Sequence, residues 1–255
     1  MPDLNSSRTR VVPVFNALFD ADPSGRTWLG PLLGLTNPQA PVDVGTVAPD
    51  AMRFLGDDER PLPAPKSLLR WLITRLDVRP DPNARDANET SRRRGRLADR
   101  DPGTIAEALR LLDGDPTGPA WYVLEGPSYP DVYIETDRAV IVVEGKRTEP
   151  APTTSTTWMA ERHQMLRHID AAWDERGGRG VYGILIVEGV DDGSVPEPWL
   201  SYPMALRDET VLAASLPHRT DAERAAIARA FLGVTTWQRV CGRFGLAWPA
   251  WDAAS

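Results

Sequence analysis

The hydrophobic pattern of the chain is clearest between positions 104 and 188. Two segments carry apolar residues at helical spacing, and the segments between and after them are short and rich in β-branched residues. The pattern predicts the order helix, strand, strand, strand, helix, strand. The predicted elements are Thr104–Asp113, Ala120–Glu125, Asp131–Thr136, Ala139–Val143, Thr157–Arg176 and Val181–Val187.

The flanking regions show helical rather than strand patterns. Ser67–Leu76, Thr90–Asp99 and Asp221–Leu232 are predicted helices, and the tail from Trp237 to Trp251 is expected to pack back on the body. We therefore predict an α/β protein with a central mixed sheet flanked by helices. The chain is predicted to be a single domain over 1–255, with a helical elaboration in 1–100, a core in 101–190 and a helical part in 191–255.

A β-hairpin is predicted over Asp131–Lys146, because Asp137 and Arg138 form a natural turn pair between the two strands. A symmetric antiparallel pairing then places Val132 opposite Val143 and Asp131 opposite Glu144. Side chains alternate between the two faces of a strand. Lys146, two residues after Glu144, therefore lies on the same face as the two carboxylates.

Two carboxylates in directly opposed positions repel each other, since their Cβ atoms lie about 4.5–5.5 Å apart. A divalent cation bound between Asp131 and Glu144 would offset the repulsion, as Mg²⁺ is typically held by one or two carboxylates with waters and phosphates. A structural salt bridge to Lys146 is the competing interpretation. An asymmetric turn or a β-bulge would break the register altogether.

Composition limits the kind of metal and the compartment. With Cys241 as the single cysteine and three histidines in the chain, a Cys/His zinc cluster is not expected, and carboxylate ligands favour Mg²⁺ or Mn²⁺. A single cysteine also fits a reducing cytoplasm. No apolar run is long enough to span a membrane and no secretory segment is apparent, so we expect a cytoplasmic protein without a membrane partner.

The charged residues are unevenly used. A net charge of −7 argues against indiscriminate binding along nucleic acid, although a local basic surface is compatible with it. Arginines dominate the 29 basic residues, and only Lys66 and Lys146 are lysines. A lysine retained in such a background suggests a role for a compact point charge with a readily shifted pKa, although Lys66 has no evident role.

The three charged groups of the hairpin fit the hydrolysis of a phosphodiester. This reaction needs a water that is nucleophilic at neutral pH and a means of neutralising the charge that builds on phosphate. Asp131 and Glu144 would hold a metal that lowers the pKa of its water and polarises the phosphate. Lys146 would orient the attacking water or stabilise the developing charge.

Pro130-Asp131, followed after twelve residues by Glu144-Gly145-Lys146, resembles the signature of the PD-(D/E)XK nuclease superfamily, which includes restriction endonucleases and RecB-like nucleases. The resemblance implies a restriction-endonuclease-like αβββαβ core and Mg²⁺- or Mn²⁺-dependent cleavage of nucleic acid, with DNA as the expected substrate. It also implies a position near the active site for Gln164. Many members continue with Gln-x-x-x-Tyr, whereas this chain has His168 in place of the tyrosine.

Five further residues near the site are open to two interpretations. Glu125 is a candidate third metal ligand or a polar residue entering a turn. Glu107 is a further candidate ligand, but we favour a capping box with Thr104. Arg147, Arg167 and His168 are candidates for contact with substrate phosphate, or are simply solvated.

The function that we expect is a metal-dependent nuclease acting on DNA, with Asp131, Glu144, Lys146 and Gln164 as catalytic residues. The alternative is a non-catalytic member of the same fold that binds nucleic acid or a protein. A third reading is an unrelated α/β domain in which the charged strand ends are a solvated rim. The sequence leaves open endonuclease or exonuclease activity and whether the protein forms a homodimer.

Overall fold

A computed structural model of the chain describes residues 6–39, 43–48, 53–55, 58–79, 88–114 and 120–247. In these residues a five-stranded sheet lies at the centre, formed by β1 (Arg53–Leu55), β2 (Val132–Glu135), β3 (Ala139–Gly145), β4 (Gly180–Val187) and β5 (Phe231–Thr236). The strands are ordered as in the sequence. The pairs β1–β2 and β2–β3 are antiparallel, and β3–β4 and β4–β5 are parallel. The predicted α/β architecture with a mixed sheet flanked by helices is confirmed.

Ten α-helices are described around the sheet. They are α1 (Val12–Ala21), α2 (Leu29–Gly34), α3 (Lys66–Arg75), α4 (Glu89–Ala98), α5 (Pro102–Asp113), α6 (Gln164–Glu175), α7 (Tyr202–Ala205), α8 (Glu209–Ser215), α9 (Asp221–Ala230) and α10 (Trp237–Phe244). A π-helical turn, Ser7–Val11, leads into α1. Within the described residues, no helix is both long and apolar enough to cross a membrane.

The register of the β2–β3 hairpin is the predicted one, with Val132 opposite Val143 and Ile134 opposite Ile141. All seven residues of β3 are buried, because helices cover both faces of the sheet. One face packs against α1, α2 and α10, and the other packs against α6 and α9. A strand buried on both faces reads as a continuous run of Val and Ile, which is the sequence of β3.

The strand predicted at Ala120–Glu125 is wrong, since no strand is described there. The backbone carbonyls of Trp121 and Val123 accept hydrogen bonds from the guanidinium group of Arg94. Tyr122 is buried in a separate apolar cluster with α3 and α5. Arg94 thus satisfies carbonyls that would pair with a neighbouring strand if this segment were a strand. The sheet position beside β2 is occupied by β1 instead.

Two predicted helices differ from the observed ones at an end. The helix predicted at Thr157–Arg176 begins only at Gln164, because the backbone amides of Arg162 and Gln164 donate to the Thr154 and Thr153 carbonyls. The helix predicted at Asp221–Leu232 ends at Ala230, where β5 begins. The predicted tail from Trp237 to Trp251 starts as α10, and its residues 248–251 lie outside the described residues.

The end of β3 is fixed by close packing at Gly145. A Cβ atom at this position would lie 2.6 Å from Val11 Cγ2 and 2.8 Å from Trp237 Cζ2, and both of those side chains are fully buried. The indole Nε1 of Trp237 donates to the Lys146 carbonyl at 3.1 Å. The backbone that carries Glu144 and Lys146 is therefore held between α10 and the N-terminal π-helical turn.

We expect Gly145→Ala to destabilise the protein by about 1–3 kcal/mol, because the added methyl group overpacks a closed core. The matched control is Gly242→Ala in α10, where a Cβ atom meets nothing within 4 Å. That variant should gain up to about 1 kcal/mol from helix propensity. Urea unfolding of both variants measures the difference, and equal effects would contradict the packing argument.

Candidate active site

The structure brings Asp131 and Glu144 together at the open end of the hairpin. Asp131 directly precedes β2, and Glu144 lies in β3 one position beyond the Val132–Val143 pair. Both side chains are buried, with 8% and 4% of their surface exposed. Asp131 Oδ2 accepts a hydrogen bond of 2.7 Å from the backbone amide of Gly145. Two carboxylates thus share a largely water-excluded space.

Three side chains surround the carboxylate of Glu144. Its Oε1 atom accepts a 2.6 Å hydrogen bond from Gln164 Nε2 and lies 2.8 Å from the ammonium of Lys146. Its Oε2 atom lies 3.1 Å from His168 Nε2. Gln164 and His168 are one helical turn apart on α6, so the two predicted positions on that helix both face Glu144.

His168 is itself held by Ser128. The imidazole Nδ1 lies 2.7 Å from Ser128 Oγ, and both residues are buried. Glu144, His168 and Ser128 therefore form a line of carboxylate, imidazole and hydroxyl, the order found in serine hydrolases. Ser128 is only 1% exposed, so its hydroxyl cannot meet a substrate. The line serves to fix the position of the imidazole ring.

The two carboxylates differ in charge state. Burial, together with the nearby charge of Glu144, raises the pKa of Asp131 to about 8. Burial also acts to raise the pKa of Glu144, but its contacts with His168 and Lys146 outweigh burial and lower that pKa below its ordinary value. Glu144 is therefore ionised at neutral pH, whereas Asp131 retains its proton.

Lys146 pairs with only one of the two acids. Burial would lower the pKa of its ammonium group, but the charge of Glu144 raises it, so Lys146 is a cation. The structural salt bridge anticipated as a competing interpretation is thus present. It does not neutralise the pair, because Asp131 still carries a strongly raised pKa. One negative charge remains without a counterion whenever Asp131 loses its proton.

Glu125 lies in a different charged cluster. Both of its oxygens accept hydrogen bonds from the guanidinium of Arg162, at 2.8 to 3.2 Å. Arg162 also binds Asp170 at 2.9 Å, and all three side chains are buried. The carboxylate predicted as a third metal ligand is therefore engaged in a bidentate ion pair, and its contacts give no support to a role in metal binding.

The remaining predicted site residues have structural partners. Arg167 donates to the carbonyls of Gly126 and Pro127, and Arg147 donates to Thr9 Oγ1. Glu107 is half-buried on α5, 3.5 Å from Arg93. The capping box proposed for it is wrong, because α5 begins earlier and Asp101 caps it at Thr104.

The role of Ser128 is one that sequence reasoning misses. It lies in the loop before β2 and meets a helix residue 40 positions later, and no local pattern marks such a contact. The ion pair between Arg10 and Glu188 is a second example, with two contacts of 2.9 Å between residues 178 positions apart. The sequence signal in both cases is only an isolated polar residue beside an apolar segment.

Throughout the described residues, no set of three or more His, Cys, Asp and Glu side chains is arranged to hold a metal on its own. A site for Mg²⁺ needs less, since one or two carboxylates with waters and phosphates suffice. Asp131 and Glu144 fit that requirement. Glu144 Oε2 is buried and has only His168 Nε2 as a partner among the described residues, so it is the oxygen of this carboxylate that Lys146 and Gln164 leave for a ligand.

Comparison of the chain with known protein families, with curated proteins and with solved structures gave no match.

We expect Arg162→Met to cost about 3–5 kcal/mol, because it leaves Glu125 and Asp170 buried without their shared cation. The control is Arg70→Ala, which removes an exposed ion pair with Asp113 and should cost less than about 1 kcal/mol. Denaturant unfolding measures both. A small loss at Arg162 would show that the buried cluster contributes little.

The stability of the metal-free protein should depend on Asp131 between about pH 4 and pH 8. In this range the folded protein keeps a proton that the unfolded chain releases, so stability falls as pH rises. Asp131→Asn carries no such proton. Its stability relative to wild type should therefore increase from pH 5 to pH 8.5, by at least about 1 kcal/mol.

Urea unfolding in EDTA at both pH values tests this expectation. The control is Asp192→Asn, because hydrogen bonds from Ser194 lower the pKa of Asp192 and its effect falls at more acidic pH. A difference between Asp131→Asn and wild type that does not change with pH would mean that Asp131 is ionised in the folded protein.

Proposed function

We propose that this protein is a divalent-metal-dependent nuclease that hydrolyses phosphodiester bonds, with DNA as its expected substrate. The observation that carries the proposal is the buried, opposed pair of Asp131 and Glu144, of which only Glu144 has a cationic partner. Such a pair is costly to a fold unless a bound cation compensates it. Clusters of perturbed acids in one place are typical of functional sites.

The order of elements around the pair supports a restriction-endonuclease-like core. If α1 and β1 supply its first helix and strand, then α1, β1, β2, β3, α6 and β4 follow the αβββαβ order. Helices α3, α4 and α5 are then an insertion between β1 and β2. This assignment differs from the sequence-based one, which took its first helix and strand from residues 104–125.

The chain's own residues divide the chemistry among them. Asp131 and Glu144 would hold the cation, and Gln164 fixes the orientation of Glu144 through its 2.6 Å hydrogen bond to Oε1. When bound, a divalent cation makes a water acidic enough to act as a nucleophile and polarises a phosphate. Binding requires Asp131 to release its proton, because a carboxylic acid is a poor ligand.

Lys146 would supply the positive charge that meets the substrate. It is 13% exposed along its side chain and lines a cavity of about 160 Å³ shared with Arg147, Glu188 and Trp199. Its ammonium can thus reach both Glu144 and an incoming phosphate. It would hold the attacking water by a hydrogen bond or stabilise negative charge on the phosphate as the bond to the leaving oxygen breaks.

The test is a cleavage assay on plasmid and on linear single-stranded DNA with Mg²⁺, Mn²⁺ or EDTA. Lys146→Ala should reduce metal-dependent cleavage by about 10²–10³-fold, the usual effect of removing one charge-stabilising group. Lys66→Ala is the matched control, since Lys66 is the other lysine of the chain and is exposed at the start of α3. It should cleave like wild type.

Two results would contradict the proposal. Cleavage that persists in Lys146→Ala would place the activity elsewhere or in a contaminant. Wild-type protein that neither cleaves DNA with either metal nor is stabilised by Mn²⁺ would favour the alternative of a non-catalytic module, and a filter-binding assay with the same DNA would then decide whether it binds nucleic acid.

A further inference from the structure

Two buried polar atoms face each other beside the acidic pair. Glu144 Oε2 and His168 Nε2 lie 3.1 Å apart, and neither has another hydrogen-bond partner among the described residues. Both side chains are more than nine-tenths buried. Buried polar atoms need partners, so the contact between these two atoms requires a proton or a cation between them.

The contact with Ser128 fixes the orientation of the imidazole ring. His168 Nδ1 and Ser128 Oγ lie 2.7 Å apart, and in the tautomer in which Nδ1–H donates to Oγ, the lone pair is on Nε2. Imidazoles that bind metals typically donate their other N–H group to a fixed acceptor in this way. In that tautomer the lone pair of Nε2 faces a carboxylate oxygen, and a bound cation would lie between the two atoms. In the other tautomer Nε2–H donates to Glu144, and a bound cation would replace that proton.

The spacing of the two atoms suits a shared cation. Nitrogen and oxygen ligands bind first-row divalent metals at about 2.0–2.2 Å, and two such ligands at right angles are about 3 Å apart. Glu144 Oε2 and His168 Nε2 have this separation. Oε1 of the same carboxylate is already occupied by Lys146 and Gln164, so Oε2 is the oxygen left for a metal.

We infer that His168 Nε2 is a direct ligand of the cation that Glu144 binds, and that this mixed nitrogen and oxygen site prefers a first-row transition-metal dication to Mg²⁺. Imidazole suits transition metals, whereas Mg²⁺ is bound almost entirely by oxygen. Water, Asp131 or a substrate phosphate would occupy the remaining positions. The inference rests on the proposed function, because it concerns the same metal site.

The position of His168 also explains how the two halves of the site are kept in register. Arg167 and His168 are adjacent on α6 and hold the loop before Asp131, through the carbonyls of Gly126 and Pro127 and the hydroxyl of Ser128. A ligand on this helix would thereby be fixed relative to both carboxylates.

The experiment uses Mn²⁺ alone as the probe, in the full chain without substrate. Pulsed electron paramagnetic resonance detects nitrogen bound directly to Mn²⁺, and labelling with ¹⁵N-histidine changes that signal. The chain has only three histidines, so the assignment needs few variants. His168→Phe removes the ligand but keeps a buried ring, and His163→Phe is the control because it removes another buried imidazole.

We expect a histidine-nitrogen signal in the wild-type protein that changes on ¹⁵N labelling, is lost in His168→Phe and persists in His163→Phe. Calorimetric titrations should show that His168→Phe lowers the affinity for Mn²⁺ by about 10–100-fold, the range known for changes around metal ligands. Its affinity for Mg²⁺ should change much less. Thermal unfolding without metal verifies that both variants fold.

Bound Mn²⁺ without a histidine-nitrogen signal in the wild type would overturn the inference and leave the carboxylate-based nuclease proposal intact. This result needs no variant, so it stands even if His168→Phe does not fold. Absence of binding by both Mn²⁺ and Mg²⁺ would overturn the inference as well, and absence of DNA cleavage in the same preparation would overturn the proposed function with it.

Discussion

The register of the β2–β3 hairpin is the constraint on which the rest of the site depends. Helices cover both faces of β3, so every residue of the strand is buried and a shift of one position would exchange the two faces. The short turn at Asp137 and Arg138 holds the register, because the Thr136 amide donates to the Ala139 carbonyl and the Ala139 amide donates to Thr136 Oγ1. As a consequence, Asp131 and Glu144, the next positions toward the open end of the hairpin, lie opposite each other despite the repulsion between their charges.

Two buried clusters of charge lie among the described residues, and they are compensated differently. Burial alone would raise the pKa of Asp170, but Arg162, His218 and Arg219 surround it and hold that pKa below its ordinary value. Asp131, by contrast, has a pKa of about 8 and only a backbone amide as hydrogen-bond donor among its described contacts. A cluster that is already balanced is expected of a structural element. In the acidic pair, Lys146 balances Glu144 and a proton balances Asp131, and a metal ion can replace a proton.

The limits of prediction follow from the distance between contacting residues. The hairpin is predictable because its turn, its β-branched strands and its carboxylates lie within sixteen consecutive residues. The position of β1 is not, because three residues pair with a strand that follows nearly eighty positions later. The segment Ala120–Glu125 looks like a strand because it is apolar, but Arg94 takes its carbonyls. The ion pair of Glu125 is not predictable for the same reason, because its partner Arg162 lies 37 positions later and is brought next to it only by the fold.

The presence of lysine at position 146 has a physical rationale in a chain that otherwise uses arginine. The ammonium of Lys146 contacts one oxygen of Glu144 and leaves the other oxygen available. A guanidinium group at this position would favour a bidentate pair that occupies both oxygens, as Arg162 does with Glu125. Lys66 is exposed and shows that a retained lysine need not be functional. The argument for Lys146 is therefore one of geometry. A single-point cation allows Glu144 to be paired with a positive charge and to bind a metal at the same time.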